Sequence, residues 1–598
     1  MAPGREIILF HKGLAFDSLS ALQQPGFLRT CENISLEVEG KQTLRPFFAN
    51  INTTAIGPIH SVKKHRGLLL VGDGKNLRAS GGSGDFTNLY SILSGDILSF
   101  APYKNFICAF NGTNFYLIDQ SKNTYPAVIA NPTIAPTLAD SGAGTGPSGH
   151  YMGYISFLIT WPNGHTYETG LSPASADLNI TDNTITWSGI QTCSYSATYG
   201  ATPTIHRKLY RGPGTGGTLG DIYYVATIAD NTTTTYSDSL SDATLSTNAA
   251  CLVDDYGPTQ IPKYLAWHYG RAFIITKDNP HRLYYSEVAG GDTSGENEVI
   301  YPLAALQDNW DDLRVSGFDY VDPQGIYSWG VNLYIPTKET WIRKQGNDPD
   351  TWAYRKTYAT QGIGAPYSVD FCSTPGGLIG VTSPEAGEPG IAVFGGQTSD
   401  IFSSPKLDWI FKSHMNLDYI HKCRGKIAGR YYHLLYPSGT ATEPNTHLAI
   451  DLRRFPDFRV AHWSGLDGVC LDVDKQGTKF YLGTSSGYVK TGASAGSGSL
   501  VVETHDLIGG DPTAFNEIKT WKQLKYSLKG TVTLEVYLNN SLMKWPDDST
   551  SKVLTGTGED VQVCPFPENA KGYKIRLKLT GTDLTEFELY SPWMLLFD

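Results

Sequence analysis

A chain of 598 residues is too long for one hydrophobic core, and about three or four domains are expected of it. Apolar residues make up 40% and charged residues 18%, a globular composition with charge below the usual quarter. The net charge of -11 disfavours a surface that grips nucleic-acid phosphates, which takes clustered Lys and Arg, but suits one that nucleic acid passes without sticking.

The 63 glycines, 35 tyrosines and many threonines predict short strands joined by tight turns, hence an all-β chain. Only five methionines, and no sustained Ala/Leu/Glu/Lys periodicity, argue against a long helix. The eight cysteines (Cys31, Cys108, Cys193, Cys251, Cys372, Cys423, Cys470, Cys564) are scattered without a CxxC pair, so buried free thiols are expected rather than disulfides or a zinc ribbon. No stretch approaches about 18 apolar residues and the N-terminus lacks a sustained apolar region, so neither a signal peptide nor a membrane span is expected.

In chain order, residues 1–56 read as an irregular leading segment in which only Asn33–Val38 alternates like a strand. Paired apolar runs follow in 57–130: Arg66–Gly72 with Asn76–Ala79, then Asn105–Phe110 with Asn114–Ile118. A Pro/Gly/Ser/Thr-rich linker, Asn131–Gly149, interrupts them. From His150 to Ala250 about seven short strands fit a β-sandwich. There Lys208-Leu-Tyr-Arg211, Tyr223–Ala226 and Thr235–Asp238 resemble a fibronectin type III module.

Over 251–495 the paired runs resume: Tyr269–Thr276 with His281–Ser286, Trp329–Pro336 with Glu339–Arg343, Pro375–Val381 with Gly390–Phe394, Lys426–Leu435 with Thr446–Asp451, and Gln476–Gly483 with Gly487–Lys490. Their starts lie roughly 45–60 residues apart, the spacing of propeller blades, and both groups together predict about seven blades. After the Ala493–Ser499 linker, residues 496–598 carry alternating strands at Leu524–Leu528, Val532–Leu538, Tyr573–Leu579 and Glu586–Tyr590, then the apolar Trp593–Phe597. A terminal β-sandwich is expected there.

Several motifs suggest chemistry, and each has a simpler structural explanation. Gly483-Thr-Ser-Ser-Gly487 fits GxSxG, but strands on both sides make it a hairpin turn rather than a nucleophile elbow. Gly144–Gly149 and Gly212–Gly217 fit GxGxxG without the following helix that would hold a pyrophosphate. Asp472-Val-Asp474-Lys-Gln-Gly477 begins like a calcium loop but lacks its later ligands, so a turn with positive φ at Gly477 is expected. His414, His421 and Cys423 have no fourth zinc ligand near by. Asp311-Asp312 and Glu385/Glu388 are the densest carboxylates in apparent loops, and solvated turns are expected there rather than a glycosidase pair. The basic runs Lys63–Arg66 and Arg453-Arg454 with Arg459 are too short for a nucleic-acid groove. Asn33, Asn179 and Asn231 sit in glycosylation sequons that mean little without secretion. No catalytic, cofactor-binding or metal residue is assigned.

The order of parts resembles a known family. A leading segment carries Arg45-Pro-Phe-Phe48, early blades follow, and a fibronectin-like insert bears Lys208-Leu-Tyr-Arg211 and Ser237–Leu245. The propeller then resumes at Ile261–Ile274 and continues through Asn332–Ile342 and Asn347-Asp-Pro349. This is similar to the nozzle (tubular tail) proteins of short-tailed bacteriophages. The resemblance implies a structural, non-enzymatic virion component of the phage tail without cofactors, a homo-oligomeric ring expected to be hexameric. Such a ring sits below a tail adaptor, beside tail fibres or spikes, and encloses the channel through which double-stranded DNA leaves. An acidic wall would keep that DNA mobile. Two other classes stay open: a carbohydrate-binding propeller of a tail tip, using exposed Trp and Tyr, and a glycan-cleaving enzyme with a carboxylate pair near the propeller axis.

Overall fold

The computed structural model describes residues 4–10, 13–14, 27–38, 41–81, 84–91, 93–103, 106–127, 129–161, 166–195, 202–251, 253, 260–286, 310–316, 322–477, 479–493, 495–509 and 517–598. Asn105 of the expected run Asn105–Phe110, positions 254–259 in the second group of blades and Ser494 of the expected linker lie outside them.

Seven four-stranded antiparallel units follow one another as propeller blades, six as separate sheets and the sixth in order as one end of a 16-stranded sheet. Blade one spans 59–91, blade two 99–126, blade three 262–312, blade four 327–356, blade five 370–401 and blade six 424–462. Blade seven takes three strands from 468–493 and its outermost strand, Phe47–Asn50, from the N-terminal segment. The apolar runs picked out by periodicity are the middle strands of these blades. Leu68–Asp73, Phe106–Phe110, Arg271–Thr276, Ile391–Phe394 and Tyr431–Tyr436 are buried along their whole length, because each blade is covered on both faces by its neighbours.

The ring closes where the innermost strand of blade seven, Gly468–Val473, lies against that of blade one, Ile59–His65. Buried Asp472 fastens the seam by accepting hydrogen bonds from the Lys64 amide at 2.7 Å and Lys63 Nζ at 3.0 Å. On the outer side Asn52, 1% exposed, accepts from the Val489 amide at 2.9 Å and donates to the Gly487 carbonyl at 3.0 Å.

Between blades two and three the chain makes a sandwich. A three-stranded sheet (Thr137–Asp140, Ile185–Ser188, Tyr236–Asp238) faces a five-stranded one built on Gly149–Thr160 and Thr204–Pro213. Trp187, Tyr151, Ile155 and Leu209 fill its core, and Arg211 crosses it to Asp238 at 2.6 Å with both side chains fully buried. The expected linker 131–149 therefore supplies an edge strand, Thr137–Asp140. The base of the sandwich is not a free hinge. Phe157, Ile159 and Trp161 pack with Phe106 and Tyr125 of blade two and Ala272 of blade three, and the Trp161 and Tyr125 rings meet edge-on at 5.6 Å.

The C-terminal sandwich is organised by one 20-residue strand, Lys519–Leu538. Along one edge it pairs with Lys552–Pro565; along the other it pairs first with Glu588–Phe597 and then with Ile575–Leu584. The changeover falls at Gly530, whose φ of 107° suits glycine, and a Cβ there would stand 2.9 Å from the Glu586 carbonyl oxygen. The closing Trp593–Phe597 run is a core strand, with Trp593 and Leu595 fully buried.

The leading segment is not irregular. Gly4–Ile8 and Lys41–Leu44 pair with the last strand, and Phe27–Glu32 pairs with Gly498–Thr504 and touches the outer strand of blade six. Gly4–Ile8 pairs only with the other end of the chain among the described residues, so no hairpin signature announces it, whereas Lys41–Leu44 also pairs locally with Ile34–Val38 and Phe27–Glu32 with Gly13–Leu14. Among the described residues no helix is long and apolar enough to cross a membrane.

Candidate functional site on the propeller axis

In each blade the chain enters the inner strand, and turns between the two middle strands, on the same side of the ring. Those seven sets of loops surround a cavity of about 610 Å³ on the axis. Blade one lends Ile59 and His60, blade two Asp96 and Asn111, blade three Lys263, Tyr264 and Lys277, and blade four Gln324. Blade five lends Tyr367, blade six His421, Lys422, Arg424 and Glu443, and blade seven Val469 and Ser485. Four cations (Lys263, Lys277, Lys422, Arg424) thus meet two carboxylates (Asp96, Glu443), in a protein that is acidic as a whole.

Arg424 opens the inner strand of blade six and is 6% exposed. Its Nη1 donates to the Lys422 and Cys423 carbonyls, its guanidinium lies 4.7 Å over the Tyr367 ring, and its Nε has no hydrogen-bond partner among the described residues. Burial pushes its pKa down from the ordinary value. Lys263 is half-buried against the Tyr264 ring at 5.1 Å, and burial lowers its pKa, with the Asp322 carboxylate opposing the shift and Lys277 and Lys338 adding like-charge repulsion. Lys263 and Lys277 flank Gly112, from which a Cβ would touch both side chains at 3.4 Å. Burial also lowers His60, and the Arg424 cation adds to that shift. Glu443 is engaged by Lys422, and Asp96 accepts from Ser94 Oγ at 2.9 Å.

A second cavity of about 590 Å³ lies between blades six and seven, lined by Phe48, Tyr431, His433, Trp463 and Phe480. His433 Nδ1 meets His447 Nε2 at 3.0 Å beneath it, and burial holds His433 down to about 3.

The motifs singled out in the sequence are dispersed, and most serve turns. Gly483–Gly487 is the turn between two strands of blade seven, where Ser485 Oγ donates to Asp467 at 2.6 Å. Gly217 closes a tight turn on Gly214 after the strand Thr204–Pro213, and Gly144 stands in a loop at φ 90°. Gly477 has the expected positive φ, 71°. Asp474 accepts from the Lys479 amide at 3.0 Å while Asp472 fastens the ring seam.

His414 bonds Tyr436 at 2.9 Å, His421 lines the axial mouth, and Cys423 is buried in the core. Asp311 accepts from the Tyr354 hydroxyl at 2.5 Å, Asp312 grips Arg314, Glu385 pairs with Lys338 at 2.8 Å, and Glu388 with Lys412 at 3.6 Å. The basic runs are likewise committed: Lys63 to Asp472, and Arg453 and Arg459 to buried Asp451. Asn33 is 4% exposed and accepts from Arg45 Nε and the Ser464 amide, both at 2.8 Å. All eight cysteines are buried free thiols, and burial raises Cys31, Cys108, Cys423 and Cys470 to about 12.

Sequence reading missed the axial cluster. Its one available signal is positional: Lys263, Tyr367 and Arg424 each stand at the entrance to an inner strand, a register that appears only when the blades are superimposed on one another.

No family model matches the chain. No curated protein matches it either. Among solved structures, the chain is similar to the WD40 domain of Pan2 from Neurospora crassa (9% identity over 75% of this chain and 96% of that one, TM-score 0.25). It is also similar to the computationally designed protein Ika8 (8% identity, 74% and 99%, TM-score 0.20) and to Hsv2 from Kluyveromyces lactis (7% identity, 68% and 98%, TM-score 0.26). At such scores these likenesses carry no argument, and the propeller assignment rests on the sheet topology itself.

Proposed function

We propose that this protein is a structural component of a short-tailed phage particle, one subunit of the ring that forms the tail nozzle. The observation that carries the proposal is the order of parts: two blades, a docked sandwich, five further blades, and a terminal sandwich that takes up the N-terminal strands. A subunit of a conduit needs stiffness and lateral surfaces more than a reactive centre. The strand Lys552–Pro565 offers such a surface. Among the described residues it is hydrogen-bonded along one edge only, and it presents Val553, Val561 and Val563 at 61%, 66% and 50% exposure. A long edge strand with exposed valines is a template for pairing with another chain.

The propeller's own axis is basic at its mouth, so an acidic channel wall would have to be assembled between subunits. Tail adaptor, fibre or spike contacts and the passage of double-stranded DNA belong to the same proposal. A carbohydrate-binding propeller is the second reading, favoured by the aromatic cleft between blades six and seven.

Light scattering followed by negative-stain imaging of the protein and of tail particles tests the proposal. Rings with a central hole, or density at the distal end of the tail, are expected. The double substitution Val561→Lys, Val563→Lys should abolish rings while leaving the melting temperature within about 2 °C, since both side chains are already in water. A protein that remains monomeric, is absent from particles and is retained on a glycan array overturns it in favour of the lectin.

A further inference from the structure

We propose that the axial mouth of the propeller binds a small ligand bearing a phosphate or carboxylate group, with the oxyanion seated between Arg424, Lys263 and Lys277. The first ground is Arg424. A buried cation is costly unless it is paired, and three other deeply buried guanidiniums show such pairing: Arg211 has Asp238, Arg459 has Asp451 and Arg207 has Asp230. Arg424 departs from it. Its hydrogen bonds go only to backbone carbonyls, its Nε has none, and among the described residues no carboxylate forms an ion pair with it.

The second ground is the lysine pair from blade three. Lys263 and Lys277 stand side by side across Gly112, and no ion-pair partner for either occurs among the described residues. Glu443, the carboxylate of the same mouth on blade six, is taken by Lys422. Three cations therefore line one cavity with no carboxylate ion-paired to them among the described residues; Asp96 and, at longer range, Asp322 and Glu443 offset their charge only in part, and an anion with several oxygens supplies the remainder through charge-assisted hydrogen bonds.

The third ground is size and shape. A cavity of about 610 Å³ falls within the range of small-molecule sites, and the Tyr264 and Tyr367 rings give it apolar walls. The negative net charge of the molecule opposes long anionic polymers at a distance, while a small ligand feels mainly the local cluster.

The test is calorimetric titration of the full-length protein at low ionic strength, with pyrophosphate in one arm and citrate in the other. Single-site binding of one of them is expected, and the arm that responds assigns the oxyanion as phosphate or carboxylate. The double substitution Lys263→Gln, Lys277→Gln should weaken binding at least about tenfold, and Arg424→Gln should abolish it. Should Arg424→Gln fail to fold, the lysine double variant decides alone, because Lys277 is exposed and Lys263 only half-buried. No binding of either probe at millimolar concentration, or equal binding by wild type and the double variant, overturns the proposal. The measurement needs no assembled particle, so its failure and the failure of the nozzle proposal are separate events.

Discussion

Lys344 shows how the packing between blades can dictate the charge of a single side chain. It is 1% exposed, and its ammonium lies 3.6 Å from the centre of the Trp352 ring and 4.7 Å from that of Phe273, across the seam of blades three and four. Burial lowers its pKa to about 7, with Asp311 opposing the shift and Arg271 adding to it. The unfolded chain holds that proton up to about pH 10.4. Between the two values the unfolded state binds more protons than the folded one, so stability rises with pH from about 7 upward, by at most about 1.4 kcal/mol per unit. Scanning calorimetry of wild type and Lys344→Met at pH 7, 8 and 9 should show the wild type gaining on the variant as pH rises. Parallel curves would mean that the ring faces hold the lysine charged throughout.

At the scale of the element, Gly530 lets one strand serve two neighbours in succession. Gly530→Ala places a Cβ at φ 107° and 2.9 Å from a carbonyl oxygen, and should cost about 1–3 kcal/mol, read as a lower urea midpoint at unchanged slope. Gly67→Ala, with nothing within 4 Å of the added Cβ, is the control and should stay within about 0.5 kcal/mol.

The same scale explains what could be read in the sequence. The middle strands of the blades are apolar on both faces and joined by tight turns, so their recurrence points to about seven blades before any coordinate is known. Some inner strands are short and mixed, as in Tyr327–Trp329 and Asp370–Cys372, and carry little period of their own. Gly4–Ile8 finds its partner at Phe597, and nothing local marks such pairing. The axial cluster is hidden for the same reason. Lys263, Tyr367 and Arg424 come from three blades, and only ring closure brings them to one cavity.

At the scale of the molecule, the N-terminal 50 residues act as a clasp between propeller and terminal sandwich. They complete blade seven through Phe47–Asn50 and supply strands to the C-terminal sheet through Gly4–Ile8, Phe27–Glu32 and Lys41–Leu44. A chain beginning at Thr53 should therefore lose more than one edge strand. Its thermal transition should broaden and fall by more than about 10 °C, as expected when several kcal/mol of pairing are removed from a large domain. An unchanged transition would show that blade seven closes without its fourth strand.

The clasp also sets an order of events in the cell. Asn52 bonds to Gly487, 435 positions further along the chain. At synthesis rates of about 5–20 residues per second, the first strands to leave the ribosome wait roughly 20–90 s for the surfaces they belong to. During that interval their edges are open to any other nascent copy that is also waiting. Crowded polysomes at high levels of synthesis would make that wait hazardous, and the yield of closed propellers would then depend on whatever shields the N-terminal strands while the last blade is being made.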